Sequence, residues 1–336
     1  MGHLETVITY CLRFAEGSNK MKNHTYTITA EDAGQRLDKA LLHMFPQANF
    51  SLMNKLCRKG QIRLDGKRVK GNERLEEGQV LKLPALLTHT AAHTTEQAVP
   101  TLTSAEHKWL KSLILFEDEH VLIINKPVGV PVQAGSKQSR SLDRLMEALL
   151  PEQKPRLVHR LDKATTGVLV FALSRKAAAA LAKQFAARET EKIYLAITQG
   201  TPLESEGVID FSLEKQTNIH TGKEQMKAVK GAGDAAATAY KRLARKGHYQ
   251  LVEAQPLTGR THQIRAHFAT MGAPLLGDEK YGGDGYKFEN KPRMFLHAYR
   301  LTFAHPETGK LMTIKAPLPE YFDEYLNQLG WAGKIK

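Results

Sequence analysis

The segment HRLDKATTG, residues 159–167, places one carboxylate between two cations. Asp162 follows Arg160 by two positions and directly precedes Lys163, and an apolar run begins soon afterwards. This pattern fits a salt-bridged surface loop. It also fits a catalytic carboxylate whose ionised form is held by neighbouring cations and whose position is fixed by the next strand. The run GVLVFALS predicts that strand, buried over Val168–Leu173, so the Asp162 loop would lie at a sheet edge and point into a cleft.

A second chemical group lies on the next predicted strand, EKIYLAITQG. Its side chains alternate between two faces, with Ile193, Leu195 and Ile197 on one and Lys192, Tyr194 and Ala196 on the other. If the first face packs into the core, Tyr194 points towards the cleft. A single tyrosine in this setting is more often a packing residue, so the strand alone does not assign it a function.

A third group lies in LTGRTHQIRAHFATMG, which predicts a helix. Thr261 can cap its start, and Gly272 can end it. An apolar stripe would run along one face through Ile264, Phe268 and Met271.

Three polar residues of this helix are candidates for binding or catalysis. Arg265 lies one position off the apolar stripe, so we expect it at the rim between packing and solvent. Arg260 and His262 lie at the helix start, where side chains and backbone amides can meet a phosphate. His262 and His267 are five positions apart without an acidic companion, which argues against a metal site.

The overall charge indicates a polyanionic partner. The 336 residues carry 48 Lys or Arg against 35 Asp or Glu, a formal charge of +13, although a merely soluble basic protein would show the same excess. Two cysteines, without a CxxC pair, disfavour a disulfide framework and a cysteine-built zinc site. The sequence shows neither a secretory signal nor a run of the roughly 18 apolar residues that a membrane span needs, so we expect a cytoplasmic protein.

Composition divides the chain into four parts. Residues 1–29 are predicted to be a tail, 30–84 a small domain, 85–112 a linker and 113–331 a larger domain. The stretch Gly34–Leu83 holds 11 Lys or Arg and 5 Asp or Glu, a concentrated share of the positive charge. The larger domain mixes many strands with few helices and lacks strict βαβ order, which predicts an α+β fold around a largely antiparallel sheet.

The small domain resembles the S4-like RNA-binding domain through RLDKALLHMFP, RKGQIRLDGKRVK and LEEGQVLKLP. A helix over Arg36–Phe45, a second helix capped by Ser51 and ended by Gly60, and short strands around Asp65-Gly66 fit this resemblance. The resemblance implies RNA phosphate contacts from Lys55, Arg58, Lys59, Arg63, Lys67 and Arg68. A solvated basic face is the alternative.

Seven motifs in a shared order give the larger domain a more specific resemblance. They are INKPVGVPV, HRLDKATTG, KIYLA, GRTHQIRAH, GDEKYG, LHAYRL and HPETG. Together they resemble the RluA-type pseudouridine synthase family, in its RluC/RluD-like branch for the ribosomal large subunit, with an N-terminal S4-like domain. The family usually has Ser where this chain has Thr166, and the hydroxyl is retained.

The resemblance implies how the candidate residues would act. Asp162 would be the catalytic carboxylate, acting either as nucleophile on the ribose or as a base, with Arg265 as its ion-pair partner. Tyr194 would stack on the uracil and Ile264 would form an apolar wall. Arg160 would fill the space left by the extruded nucleotide. Arg260 and His262 remain expected substrate contacts.

The implied activity is isomerisation of uridine to pseudouridine, without metal or cofactor. Large-subunit ribosomal RNA is the expected substrate and partner, transfer RNA is the alternative, and a monomer is expected. Two other classes stay open, an RNA-binding assembly factor with an idle site and a base-releasing glycosidase. A glycosidase normally uses two carboxylates, whereas the HRLDKATTG loop offers one.

Overall fold

The computed structural model describes residues 24–335 except 31, 46, 47, 49, 85, 86, 88–98, 134–139, 218–223, 230 and 232. The chain forms two compact units, Met1–Ala98 and Val99–Lys336. Within the described ranges, none of the helices has the length and apolarity that crossing a membrane requires.

The first unit packs two helices against a small antiparallel sheet. Its described elements are β1 (His24–Thr27), α1 (Leu37–Met44), α2 (Phe50–Arg58), β2 (Arg63–Leu64), β3 (Lys67–Arg68) and β4 (Val80–Leu83). The strands follow the order β1-β4-β2-β3. Leu37 and Leu41 of α1 are fully buried, four positions apart on one face of the helix. Asp65 and Gly66 both have positive φ angles, which suits a tight hairpin turn between β2 and β3.

Two predictions for this unit were wrong at the boundaries. Ser51 does not cap the second helix, because α2 already begins at Phe50. The predicted tail 1–29 contains β1, whose residues His24–Thr27 pair with β4 and extend the sheet. The other predicted helix and the strands after α2 are confirmed.

The second unit is an α+β domain. Its described helices are α3 (Ser104–Ser112), α4 (Leu142–Leu149), α5 (Arg175–Ala187), α6 (Gln263–Thr270) and α7 (Glu320–Leu329). Its described strands are β5 (Ile114–Glu117), β6 (Val121–Lys126), β7 (Arg156–Leu157), β8 (Thr166–Ala172), β9 (Glu191–Gln199), β10 (Glu206–Asp210), β11 (Ser212–Thr217), β12 (Glu224–Val229), β13 (Ala237–Lys246), β14 (Tyr249–Pro256), β15 (Lys287–Phe288), β16 (Lys291–Pro292), β17 (Leu296–Ala304) and β18 (Leu311–Lys315).

Most of these strands form one sheet, in the order β10-β13-β14-β9-β17-β8-β6-β5. Strand β18 pairs with β17, and β7 pairs with β8. Along this order, neighbouring described strands are antiparallel except β8 and β17, which are parallel. The predicted largely antiparallel mixed sheet with flanking helices is therefore confirmed.

Both faces of the sheet are covered around β6 and β8. On one face, Leu122 and Leu169 join a core cluster with Leu145 of α4. On the other face, Val170 packs in a cluster with Leu181 of α5. A strand that is buried on both faces has a continuous apolar sequence, and the predicted buried strand in GVLVFALS is confirmed as β8.

The predicted linker, residues 85–112, includes a helix at its carboxyl end. Thr103 and Glu106 form a capping box at the start of α3. Leu110 is fully buried in the core cluster that covers β6. The second compact unit accordingly begins at Val99, earlier than the predicted residue 113.

A close contact between β8 and β17 fixes where the Asp162 loop ends. Gly167 has a φ of 110°, and a Cβ atom there would lie 2.2 Å from the carbonyl oxygen of Ala298. Only glycine accommodates both the conformation and the approach. Ala298 is also paired with Tyr194 on β9, so β17 brings the Asp162 loop beside the tyrosine.

Candidate active site

A buried lysine holds the loop that carries Asp162. The Lys126 ammonium donates hydrogen bonds to the carbonyl oxygens of Pro127 at 2.9 Å, Lys163 at 3.1 Å and Thr165 at 2.8 Å. The side chain is fully buried, and these three bonds use all three ammonium hydrogens. The backbone directly after Asp162 is therefore fixed from inside the core.

Arg265 bridges two carboxylates. Its Nη1 donates to Asp162 Oδ2 at 3.1 Å, while Nε and Nη2 donate to Asp278 Oδ2 and Oδ1 at 2.7 and 2.8 Å. Burial alone would lower the pKa of the Arg265 guanidinium, but the bonds to Asp278 and the charges of both carboxylates outweigh burial and raise it. The expected ion pair with Asp162 is present. The prediction that Arg265 lies at the rim between packing and solvent was wrong. Its side chain is only 8% exposed, and the pairing with carboxylates compensates for the cost of burying its charge.

His262 lies beside the same carboxylate. Its Nε2 is 3.6 Å from Asp162 Oδ2, and its Nδ1 is 2.9 Å from the Tyr281 hydroxyl. The Tyr281 ring also packs under Arg265, whose guanidinium carbon lies 5.0 Å from the ring centroid. Burial lowers the pKa of His262 to about 4, against the opposing effect of Asp162, so its imidazole is neutral at pH 7.

The start of α6 differs from the prediction. His262, not Thr261, is the N-cap residue, and it has a left-handed φ of 53°. The turn is held by the Gln263 side chain, whose Oε1 accepts from the Arg260 N–H at 3.0 Å and the Thr258 hydroxyl at 2.6 Å. A side chain from inside the helix thus replaces the hydroxyl cap that the sequence suggested.

These groups meet at a cavity of about 310 Å³. The predicted residues that line it are Asp162, Tyr194, Arg265, Arg160, Ile264, Arg260 and His262. The structure therefore brings together every candidate of the second unit.

The cavity residues differ in exposure. Tyr194 is half-buried, and burial together with the Asp162 charge raises the pKa of its phenol. Ile264 is 6% exposed and continues an apolar core cluster into the wall. Arg160 is exposed at the mouth. Arg260 lies 3.5 Å from an Asp234 carboxylate oxygen.

The neighbours of Asp162 in HRLDKATTG have structural contacts. His159 Nε2 accepts a hydrogen bond from the Val170 N–H at 2.9 Å, and its ring stacks on Phe185. The Thr166 hydroxyl is 2.8 Å from Nδ1 of buried His297. The departure from the usual Ser therefore keeps a buried hydrogen bond.

Five of the six predicted cations of the first unit are exposed on α2, on the turn that follows it and on the β2–β3 hairpin: Lys55, Arg58, Lys59, Lys67 and Arg68. The sixth, Arg63, is half-buried and donates to the carbonyl oxygens of Gly60 and Gly66. Arg63 therefore stabilises the hairpin and is less available to a phosphate.

Sequence reasoning assigned no role to Lys126, Asp278 or Tyr281. All three lie inside motifs that carry the family resemblance, INKPVGVPV and GDEKYG. Their position in these motifs is the sequence signal that could have identified them. Among the described residues, no group of three or more His, Cys, Asp or Glu side chains is arranged to hold a metal ion.

Comparison with known proteins relates most of the chain to one family. Residues 120–270 match the RNA pseudouridylate synthase family, and residues 35–81 match the S4 domain. Ribosomal large subunit pseudouridine synthase C of Escherichia coli K12 is 36% identical over 310 residues, covering 90% of this chain and 95% of the relative. The protein of the same name from Yersinia pestis is 36% identical over 297 residues, covering 87% of this chain and 91% of the relative.

A solved structure agrees. Human RNA pseudouridylate synthase domain containing 4 superposes with a TM-score of 0.56 at 28% identity, covering 68% of this chain and 98% of the human one. The sequence matches extend over most of the chain, and the fold agrees with them. The chain therefore belongs to the RNA pseudouridylate synthase family, whose members isomerise uridine to pseudouridine in RNA.

Proposed function

We propose that this chain modifies uridines of large-subunit ribosomal RNA, as a cytoplasmic monomer that needs no metal or cofactor. The names of its relatives from Escherichia coli and Yersinia pestis support the choice of RNA. The S4 match and the exposed cations of the first unit support direct RNA binding. The formal charge of +13 favours a polyanionic substrate of this kind.

One observation carries the proposal. The Asp162 carboxylate faces a cavity and is held on one side by the guanidinium of Arg265. The reaction breaks the bond between ribose and the uracil nitrogen, turns the base and rejoins it through carbon. Asp162 either attacks the sugar or removes a ribose proton, and both roles need an ionised carboxylate close to the ribose.

The other cavity residues suit the handling of an extruded nucleotide. Tyr194 stacks on the uracil and helps to remove the proton from the carbon that forms the new bond. Ile264 forms the apolar wall on which the base turns. Arg160, exposed at the mouth, enters the stack in place of the lost base, since a planar guanidinium can replace base stacking. Arg260 contacts the RNA backbone next to it.

The cavity argues against a base-releasing glycosidase. Of the described residues that line it, Asp162 alone carries a carboxylate. Asp278 is 2% exposed, and both of its oxygens accept hydrogen bonds from Arg265. Glycoside hydrolysis normally uses two carboxylates on either side of the bond that breaks, so release of free uracil is not expected.

The experiment maps pseudouridines in ribosomal and transfer RNA from cells that lack the protein, and from the same cells supplied with wild type, Asp162→Asn or Asp284→Asn. Asp284 is an exposed carboxylate outside the cavity and serves as the matched control. We expect large-subunit sites to be restored by wild type and by Asp284→Asn but not by Asp162→Asn. Restoration by Asp162→Asn would overturn the catalytic role. Restoration confined to transfer RNA would overturn the assignment of large-subunit ribosomal RNA as the substrate.

A further inference from the structure

The two oxygens of the Asp162 carboxylate have different surroundings. Arg265 Nη1 lies 3.1 Å from Oδ2, and His262 Nε2 lies 3.6 Å from the same oxygen. Oδ1 accepts no hydrogen bond from the described side chains. One oxygen is therefore held by the protein, and the other is left without a side-chain hydrogen bond on a residue that lines the cavity.

Hydrogen bonding sets which nitrogen of His262 carries the proton. The Met226 N–H donates to the Tyr281 oxygen at 3.0 Å, so this oxygen already accepts one bond. The phenol hydrogen is then satisfied if it is donated to His262 Nδ1, 2.9 Å away. In a neutral imidazole one nitrogen accepts and the other donates. With Nδ1 as the acceptor of the phenol hydrogen, the hydrogen of a neutral His262 is on Nε2, the nitrogen that faces Asp162.

The backbone of His262 is held in an uncommon conformation. Its φ of 53° and ψ of 21° lie in the left-handed region, which residues other than glycine rarely adopt. Such conformations persist where the surroundings determine them and are frequent at functional sites. Here the turn directs the imidazole to Asp162 on one side and Tyr281 on the other.

We propose that His262 is a positioning residue for the reaction. Its Nε2–H, fixed by Tyr281, holds Oδ2 of Asp162 together with Arg265, so that Oδ1 is the oxygen presented to the ribose. This inference rests on the proposed function. It replaces the phosphate contact that the sequence suggested for His262. The distance of 3.6 Å is longer than a hydrogen bond, and catalytic contacts of this kind often shorten only when substrate is bound.

The test compares His262→Asn, Tyr281→Phe and the double variant of the full-length chain. Asn tolerates the left-handed conformation, and its short amide does not reach Asp162 as Nε2 does. Phe keeps the ring under Arg265 and removes only the hydroxyl. An exposed histidine, His248, provides the control His248→Asn. Circular dichroism verifies that each variant is folded.

Two quantities are measured separately, the dissociation constant for a large-subunit RNA fragment and the single-turnover rate of pseudouridine formation. We expect His262→Asn to slow the rate about 10- to 100-fold, as for a displaced catalytic group, with the dissociation constant unchanged. Tyr281→Phe should show a smaller loss of the same kind. The double variant should be no slower than His262→Asn, because residues that act as a unit are not additive.

Three outcomes would overturn the proposal. They are a wild-type rate for His262→Asn, a loss confined to RNA affinity, which would indicate a phosphate contact, and additive losses in the double variant. An inactive wild-type protein would instead overturn the proposed function, so the two failures are distinguishable.

Discussion

Asp278 accepts two hydrogen bonds from the guanidinium of Arg265, at 2.7 and 2.8 Å, and both side chains are buried. This bidentate pairing fixes the plane of the guanidinium, and the remaining Nη1 consequently points at Asp162. A lysine at position 265 has no comparable rigid fork and could not serve both carboxylates in this geometry. The orientation of the Asp162 carboxylate thus depends on an aspartate that lies outside the cavity lining.

Replacing Asp278 by Asn should weaken both folding and catalysis. Removing one charge of a buried pair typically costs about 3 kcal/mol, and the amide presents hydrogens to the guanidinium where the carboxylate accepted them. We expect the free energy of unfolding, measured in urea, to fall by about 3 kcal/mol. We expect the turnover rate to fall about tenfold or more. Asp284→Asn, on an exposed neighbour, should change neither quantity. Equal behaviour of the two variants would show that the pairing is dispensable.

Replacing Lys126 by Met should loosen the Asp162 loop from inside. Met has a similar length and suits a buried site, but it removes the ammonium donor from the carbonyls of Pro127, Lys163 and Thr165. The Lys163 carbonyl keeps a hydrogen bond from the Gly129 N–H, whereas those of Pro127 and Thr165 lose their side-chain donor. An unsatisfied buried group costs about 1–3 kcal/mol, so with two such carbonyls the loss of unfolding free energy should reach at least about 2 kcal/mol.

The matched control is Lys163→Met, because the Lys163 side chain is exposed on the same loop. Exposed substitutions usually change stability by less than about 0.5 kcal/mol. Thermal unfolding of both variants checks the prediction. A Lys126→Met protein as stable as Lys163→Met would mean that the carbonyls find other donors.

Periodicity predicted the elements of the site better than its contacts. The strand that carries Tyr194 and the buried strand after Asp162 follow from the pattern of apolar residues alone. Arg265 was misplaced at a solvent rim because its burial depends on Asp278, which is distant in sequence from Asp162 and has no periodic signal. Local pattern cannot reveal an ion pair whose partners come from separate segments of the chain.

The cap of α6 shows a second limit. Thr261 has the residue type that helix N-caps prefer, yet the helix begins after His262. The Gln263 side chain instead accepts a hydrogen bond from the Arg260 N–H in the turn before the helix. Its Nε2 donates to the Ala237 carbonyl and the Thr238 hydroxyl on β13. Tertiary contacts to a distant strand therefore overrode the local capping preference.

Buried His297 should make folding sensitive to acid. Its Nε2 donates to the Ala316 carbonyl and its Nδ1 accepts from the Thr166 hydroxyl, and burial lowers the pKa of His297 to about 4. An unfolded histidine has a pKa near 6.5, as a general value. Between about pH 6.5 and pH 4 the unfolded chain binds a proton that the folded chain does not. The contribution to stability is thus complete above pH 6.5 and is lost as the pH falls, by up to about 1.4 kcal/mol per pH unit.

Urea unfolding at several pH values between 7.5 and 5 measures this slope. His297→Asn retains an acceptor for Thr166 and removes the titrating ring, so its slope should be shallower than that of wild type. His248→Asn, at an exposed position, should leave the slope unchanged. If His297→Asn keeps the full wild-type slope, other groups cause the acid sensitivity.

The exposed cations of the first unit should set the salt dependence of RNA binding. Each phosphate contact made by a Lys or Arg releases bound counterions, so the logarithm of the affinity falls with the logarithm of the salt concentration, by about 0.7–0.9 per contact. Changing Lys55, Arg58, Lys59, Lys67 and Arg68 to Gln should therefore lower the slope by up to roughly 4 if every one of them meets a phosphate.

Arg63 is left intact in this variant because its guanidinium holds the hairpin. A matched variant of the exposed Lys287 and Lys291 in the second unit should keep the wild-type slope. Because phosphate contacts position the RNA without reading its sequence, the five-residue variant should lose affinity for all RNAs alike. A slope equal to that of wild type would mean that the RNA docks elsewhere on the protein.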